Sequence, residues 1–146
     1  MSIFSFVKEA GEKLIDLLTP GNVNASEQLK EHISKVGLGS PNVQATVDGD
    51  KVTVTGEVAS QEEKEKILLA VGNIAGVGSV DDQITVTGPV AKAAVFVTVV
   101  KGDTLSAISL RVYGDANKYQ KIFEANKPML KDVNKIYPGQ SLRIPE

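Results

Sequence analysis

The sequence predicts an α+β fold divided into two small domains, and three observations carry that reading. Between residues 24 and 87 the apolar positions switch between helical spacing and alternation in the order helix, strand, strand, helix, strand. From Thr87 to Ala94 the stretch TGPVAKAA joins a Gly-Pro breaker to small residues with no apolar period, which is the composition of a linker. Beyond it, residues 95–146 open a separate strand, helix, helix, strand pattern. A chain of 146 residues has room for two such units, because domains can be as small as about 50 residues.

The elements follow in order. In an N-terminal segment, residues 1–23, Ile3, Phe6, Val7, Ala10, Leu14, Leu17 and Leu18 stand at helical spacing, with Lys8, Glu9, Glu12, Lys13 and Asp16 mostly elsewhere on the wheel. The spacing predicts an amphipathic helix over 3–18, interrupted at Gly11. Its mixed polar face favours packing on the next domain over lying on a membrane surface. The run SEQLKEHISKVG places Leu29, His32, Ile33 and Val36 on one side and ends near Gly37. VQATV and KVTVTGEV alternate and are joined by DGD, a hairpin signal. Ser60 and Glu63 have capping-box spacing, and Ile67, Leu68, Val71 and Ile74 continue a second helix that ends between Gly72 and Gly76. VGSVDDQITV then supplies a third strand, so that residues 24–87 form a three-stranded sheet beneath two helices. After a linker at 88–94, the 95–146 domain reads as a strand, a turn, a helix capped by Asp103 or Thr104, a second helix in NKYQKIFEAN and a returning strand in KIYPGQSLRIP.

Composition excludes several classes of function. Sixteen basic residues against eighteen acidic ones leave a net charge of −2, with no general field for nucleic acid. No apolar run approaches the roughly 18 residues of a membrane span. Cysteine is absent, which removes thiolate chemistry and disulfides. The N-terminus is interrupted by charge and does not read as a secretory signal, so a soluble cytoplasmic protein is expected. Catalysis has little to stand on: His32 is the single histidine and belongs to a helix, no GxSxG context exists, and GDTLS lacks the glycine-lysine pair of a phosphate loop.

One stretch raises a more specific question. VGNIAGVGSVDD places Gly72, Gly76 and Gly78 between a helical run and an alternating one. The commonest use of such a sequence is a glycine cap followed by a turn. A second use follows from electrostatics: the last carbonyls of a helix lack intrahelical donors, and glycines can wrap the chain until several neutral oxygens converge. Such a cage suits a large monovalent cation better than a divalent one, which favours carboxylates. Asp81 and Asp82 face opposite sides of a strand, and neither they nor Asp48 and Asp50 have calcium-loop spacing. One loop hardly supplies six oxygens, so a second segment must close the site, and the N-terminal one with its break at Gly11 is the natural candidate.

VTVVKGDTLSAIS, IFEANKPML and IYPGQSLRIP closely resemble a LysM domain over residues 95–145, and VTVTGEVASQEEKEKILLAVGNIAGVGSVDDQI resembles a BON domain. With FVKEAGEKL before them, the order of parts resembles the small cytoplasmic potassium-binding proteins of bacteria from end to end. That resemblance implies a soluble, non-enzymatic monomer that binds K+ and changes shape on doing so. It also implies a ligand set: carbonyls of Val7, Ala10 and Glu12 from the N-terminal segment with Gly72, Ile74 and Val77 from the loop. LysM domains generally bind N-acetylglucosamine-containing glycans. The corresponding groove here lies between Gly102, Asp103, Thr104 and Leu105 on one side and Asn126, Lys127, Pro128 and Met129 on the other. Peptidoglycan binding, or a scaffold that contacts protein or lipid, is the alternative to ion binding.

Overall fold

The computed structural model describes residues 2–6, 25–35, 43–74, 77–89, 94–127 and 129–145. Its elements in chain order are β1 (Ser2–Ser5), α1 (Ala25–Lys35), β2 (Val43–Asp48), β3 (Lys51–Val58), α2 (Gln61–Gly72), β4 (Ser79–Val86), β5 (Val95–Thr98), α3 (Leu105–Tyr113), a 3-10 turn (Ala116–Lys118), α4 (Tyr119–Ala125) and β6 (Ser141–Ile144). The architecture is α+β, with a four-stranded sheet ordered β1-β4-β3-β2 and a separate two-stranded sheet of β5 and β6.

The hairpin of β2 and β3 forms where DGD stands, with Asp48 opposite Lys51 and Gly49 at φ 64, a backbone region that costs glycine little. β3 and β4 run parallel, Lys51 opposite Ser79, so the connection between them must cross the sheet. Helix α2 is that crossover. Its start is fixed as the capping-box spacing predicts, because the Ser60 hydroxyl accepts from the Glu63 N–H at 3.1 Å. Leu29 and Ile33 of α1 and Ile67, Leu68 and Val71 of α2 cluster with Val43, Ala45, Val52, Val54, Val80 and Ile84 of the sheet. Burial of these apolar side chains is the main favourable contribution set against the entropy of ordering so short a domain.

The N-terminus departs from expectation. Where helical spacing predicts the start of a helix, Ser2–Ser5 pairs antiparallel with β4, Ile3 opposite Asp81 and Ser5 opposite Ser79. The sheet therefore has four strands, not three. The reason is the free edge of β4: its outward N–H and C=O groups need partners, and a strand supplies them, whereas the first turn of a helix broken at Gly11 has little to hold it. The rest of the amphipathic segment, including Val7, Ala10, Gly11 and Glu12, lies outside the described residues.

In the second unit β5 pairs antiparallel with β6, Val95 opposite Ile144 and Thr98 opposite Ser141, bringing the two ends of the domain together. Thr104 is the cap of α3, its hydroxyl accepting from the Ala107 N–H at 3.0 Å. Leu105, Ile108, Ile122, Leu130 and Leu142 fill the core between the helices and this ribbon. Among the described residues no helix is long and apolar enough to cross a membrane.

Candidate ion loop and domain junction

The loop after α2 is held from four directions. The Asn73 N–H closes the helix by donating to the Leu69 carbonyl at 2.9 Å, and the Val77 N–H donates to the Ile74 carbonyl at 3.1 Å. The Gly78 N–H reaches the hairpin at the Asp50 carbonyl, 2.8 Å, while the Gly78 carbonyl accepts from the Phe6 N–H at 3.0 Å. Ile74 and Val77 are fully buried, so their side chains anchor a turn that needs no charged ligand to hold its shape. The Gly72, Ile74 and Val77 positions thus stand within one six-residue span. The N-terminal partners Val7, Ala10 and Glu12 lie outside the described residues, as does Gly76.

Gly72 is a glycine for a reason the sequence does not reveal. Its φ is not in the left-handed region, so the backbone freedom expected of it is not what the position uses. A Cβ there would overlap the ring of Phe6, which is itself buried. The ring sits where a side chain would otherwise be, and Phe6 itself therefore stands directly beside the loop.

The acidic residues do not converge. Asp82 is buried against Lys64 Nζ at 2.8 Å and accepts from the Ile84 N–H at 3.0 Å, whereas Asp81 accepts from Gln83 Nε2 at 3.1 Å and stands 3.9 Å from Lys51. Consecutive residues of β4 thus face different partners, as alternation requires. Among the described residues no three histidine or acidic side chains gather as a metal site. His32 is buried in α1.

The junction with the second unit lies one residue from the loop. Of the backbone groups of β6, those of Ser141 and Arg143 are each met by one asparagine that follows a helix. Asn73 accepts from the Ser141 N–H and donates to its carbonyl, both at 2.8 Å. Asn126 accepts from the Arg143 N–H at 2.7 Å and donates to its carbonyl at 2.9 Å. Each amide acts as a one-residue strand, covering an edge that would otherwise be left open. Arg143 Nε also meets Glu65 Oε1 at 2.7 Å, and the other Glu65 oxygen accepts from the Ala94 N–H at 2.8 Å. Phe96 and Met129 pack on the core of the first unit. Sequence reading misses Asn73 and Glu65, because a polar residue inside a helical pattern gives no sign of a partner 68 or 78 positions away.

The residues of the expected glycan groove have structural tasks. Asp103 accepts from the Val100 N–H at 3.1 Å and stands 3.3 Å from Arg111; the backbone donor first, then the guanidinium, holds its carboxyl below the ordinary range. Gly102, at φ 89, makes the turn, and Leu105 is buried in the core. Asn126 is buried on β6, Lys127 pairs with Glu124 at 3.3 Å above the Phe123 ring, and Met129 receives the Asn73 amide at 3.5 Å. Pro128 lies outside the described residues.

A fold of this shape defines a two-domain class: residues 22–88 match the BON domain model and residues 97–145 the LysM domain model. The chain belongs to the family of Potassium binding protein Kbp of Escherichia coli O6:H1, to which it is 57% identical over 150 aligned residues, covering 100% of this chain and 99% of that one. A shorter similarity, 40% over 58 residues, relates 34% of the chain to 26% of the uncharacterized protein YqbP of Bacillus subtilis.

Proposed function

We propose that this chain is a cytoplasmic potassium-binding protein rather than an enzyme, and that it becomes more compact and ordered when it holds one K+ ion. The observation that carries the reading is full-length identity of 57% to a protein named for binding potassium. The loop supports it physically. Gly72, Ile74 and Val77 offer neutral carbonyl oxygens, and a ring of such dipoles replaces the water shell of a large monovalent ion without the charge that would favour calcium. The Phe6 anchor on Gly72 and Gly78 supports the second half of the cage, because it fixes the residue that precedes Val7 in the sequence beside the loop. Those six carbonyls are the ligand set of this reading. The LysM unit serves chiefly as a packing partner of a monomer, tied to the loop through Asn73.

Isothermal titration of the full chain against lithium, sodium, potassium, rubidium, caesium, magnesium and calcium tests the reading. Saturable binding of one potassium ion, with rubidium and caesium close behind and sodium and the divalent ions weak, is expected. Preference for calcium or magnesium would point to carboxylates and contradict the carbonyl cage. Tight binding to purified peptidoglycan without any potassium heat would favour the glycan reading.

A further inference from the structure

Asn73 stands between Gly72 and Ile74, two residues whose carbonyls belong to the proposed cage, yet its side chain is engaged by the last strand of the second unit. Its backbone, at φ −86 and ψ 30, is open to any L-residue, so the position does not use the left-handed conformation that often selects asparagine at a helix end. What the position uses is the amide, which is buried. Oδ1 accepts from the Ser141 N–H, and Nδ2 donates to the Ser141 carbonyl, both at 2.8 Å, and to Met129 Sδ at 3.5 Å. The backbone is fixed as well, since the Asn73 N–H donates to the Leu69 carbonyl at 2.9 Å. A peptide unit is planar and trans, so that bond turns the Gly72 carbonyl, on the opposite edge of the same plane, away from the helix and past its end. The peptide on the other side of Asn73 leads to Ile74, whose carbonyl accepts from the Val77 N–H at 3.1 Å. The residue between the two carbonyls is thus held by α2 through its backbone and by β6 through its side chain.

We infer that Asn73 is a positioning residue of the ion site, through which Ser141 of the second unit sets the spacing of the loop carbonyls and with it the preference for potassium over sodium. The inference rests on the carbonyl cage proposed above and goes beyond it, because it makes the LysM unit a determinant of selectivity. Neutral oxygens that are held apart at the spacing of a large ion cannot contract onto a small one, whereas oxygens free to move can. Ser141 is a firm anchor: it is buried, and its strand is paired with β5 on the other edge. The coupling is reciprocal. If the clamp strengthens ion binding by some factor, the ion strengthens the Asn73–Ser141 clamp by the same factor.

The test compares the native full chain with Asn73→Ala and Phe96→Leu, each titrated with potassium chloride and with sodium chloride at an ionic strength held constant by choline chloride, while backbone amide resonances are followed by NMR. Before any potassium is added, Asn73→Ala should move the Ile74, Val77 and Gly78 resonances and leave those of Val52 and Val54 in the sheet where they are. Its potassium affinity should fall about tenfold, the equivalent of one net hydrogen bond, and its sodium affinity less, so that discrimination narrows. Phe96→Leu loosens the same junction through an apolar contact and should keep the native affinity and discrimination. In the native chain, hydrogen exchange of the Ser141 N–H should be slower in potassium than in sodium, a reading that needs no variant to fold. Loop resonances unmoved by Asn73→Ala, potassium and sodium weakened by the same factor, or Ser141 exchange equal in the two salts would overturn the positioning role while leaving potassium binding intact. An equal loss in Phe96→Leu would overturn the assignment to Asn73. Absence of potassium binding by the native chain would instead contradict the cage on which the inference rests.

Discussion

At the level of single residues, Gly72 illustrates how a position can be legible in identity and illegible in cause. The glycine-rich join is plain in the sequence and marks the end of a helix, but the reason for this glycine is a ring that arrives from 66 positions earlier, Phe6, and no local pattern contains that information. Gly72→Ala sets two effects against each other. Alanine is favoured by up to about 1 kcal/mol in a helix, less at its last residue, while forcing a methyl into the Phe6 ring costs about 1–3 kcal/mol. Overpacking wins, and the variant should lose roughly 1–2 kcal/mol in urea unfolding, with part of that loss recovered in a Phe6→Leu background. Equal losses in both backgrounds would mean that the ring is not what excludes the methyl. Asn73 and Glu65 were hidden for the same reason as Phe6: their partners are tertiary, Ser141 and Arg143 in the last strand.

Among the elements, those whose signals are local are the ones the sequence reveals. The DGD hairpin, the Ser60 cap, the α3 cap at Thr104 and the returning strand of the second unit all follow from turn chemistry or period, and each is found where the pattern places it. β1 was not legible, since four residues that alternate weakly look like the start of an amphipathic helix until the open edge of β4 is known. The turn before α3 also yields a pH dependence. The Val100 N–H, opposed by some desolvation and helped by Arg111, keeps the Asp103 carboxyl below its ordinary value in the folded chain. A depressed folded value means that the contribution is complete above the unfolded value of about 4 and is lost as pH falls through the lower, folded one. Asp103→Asn should therefore leave a shallower acid-side fall in thermal midpoint than the native chain shows, with little change in its slope above about pH 6. An unchanged acid limb would place the proton uptake elsewhere.

Across the whole molecule, the two units share a polar seam next to the proposed ion loop. Glu65 is 4% exposed and carries Arg143, Gln61 and the Ala94 N–H on its two oxygens, so removing it leaves a guanidinium that is only 12% exposed without its partner. Glu65→Ala should cost about 3 kcal/mol and make the two units melt separately where the native chain is expected to melt in one transition, because the second unit loses its tie to the first. A single, unshifted transition would show that Asn73 and the apolar contacts of Met129 and Phe96 suffice. In the proposed function one potassium ion joins the N-terminal segment to the carbonyls after α2, so that only the closed form binds it. An ion bound by the folded, closed form raises stability with its concentration, whereas screening acts alike in any monovalent salt. The most direct measurement is the thermal midpoint of the full chain in potassium chloride and in sodium chloride at equal ionic strength, repeated across potassium concentrations and after deletion of residues 1–12. The midpoint should be higher in potassium, climb with its concentration, and lose that climb in the deletion; identical midpoints in the two salts at every concentration would contradict the claim.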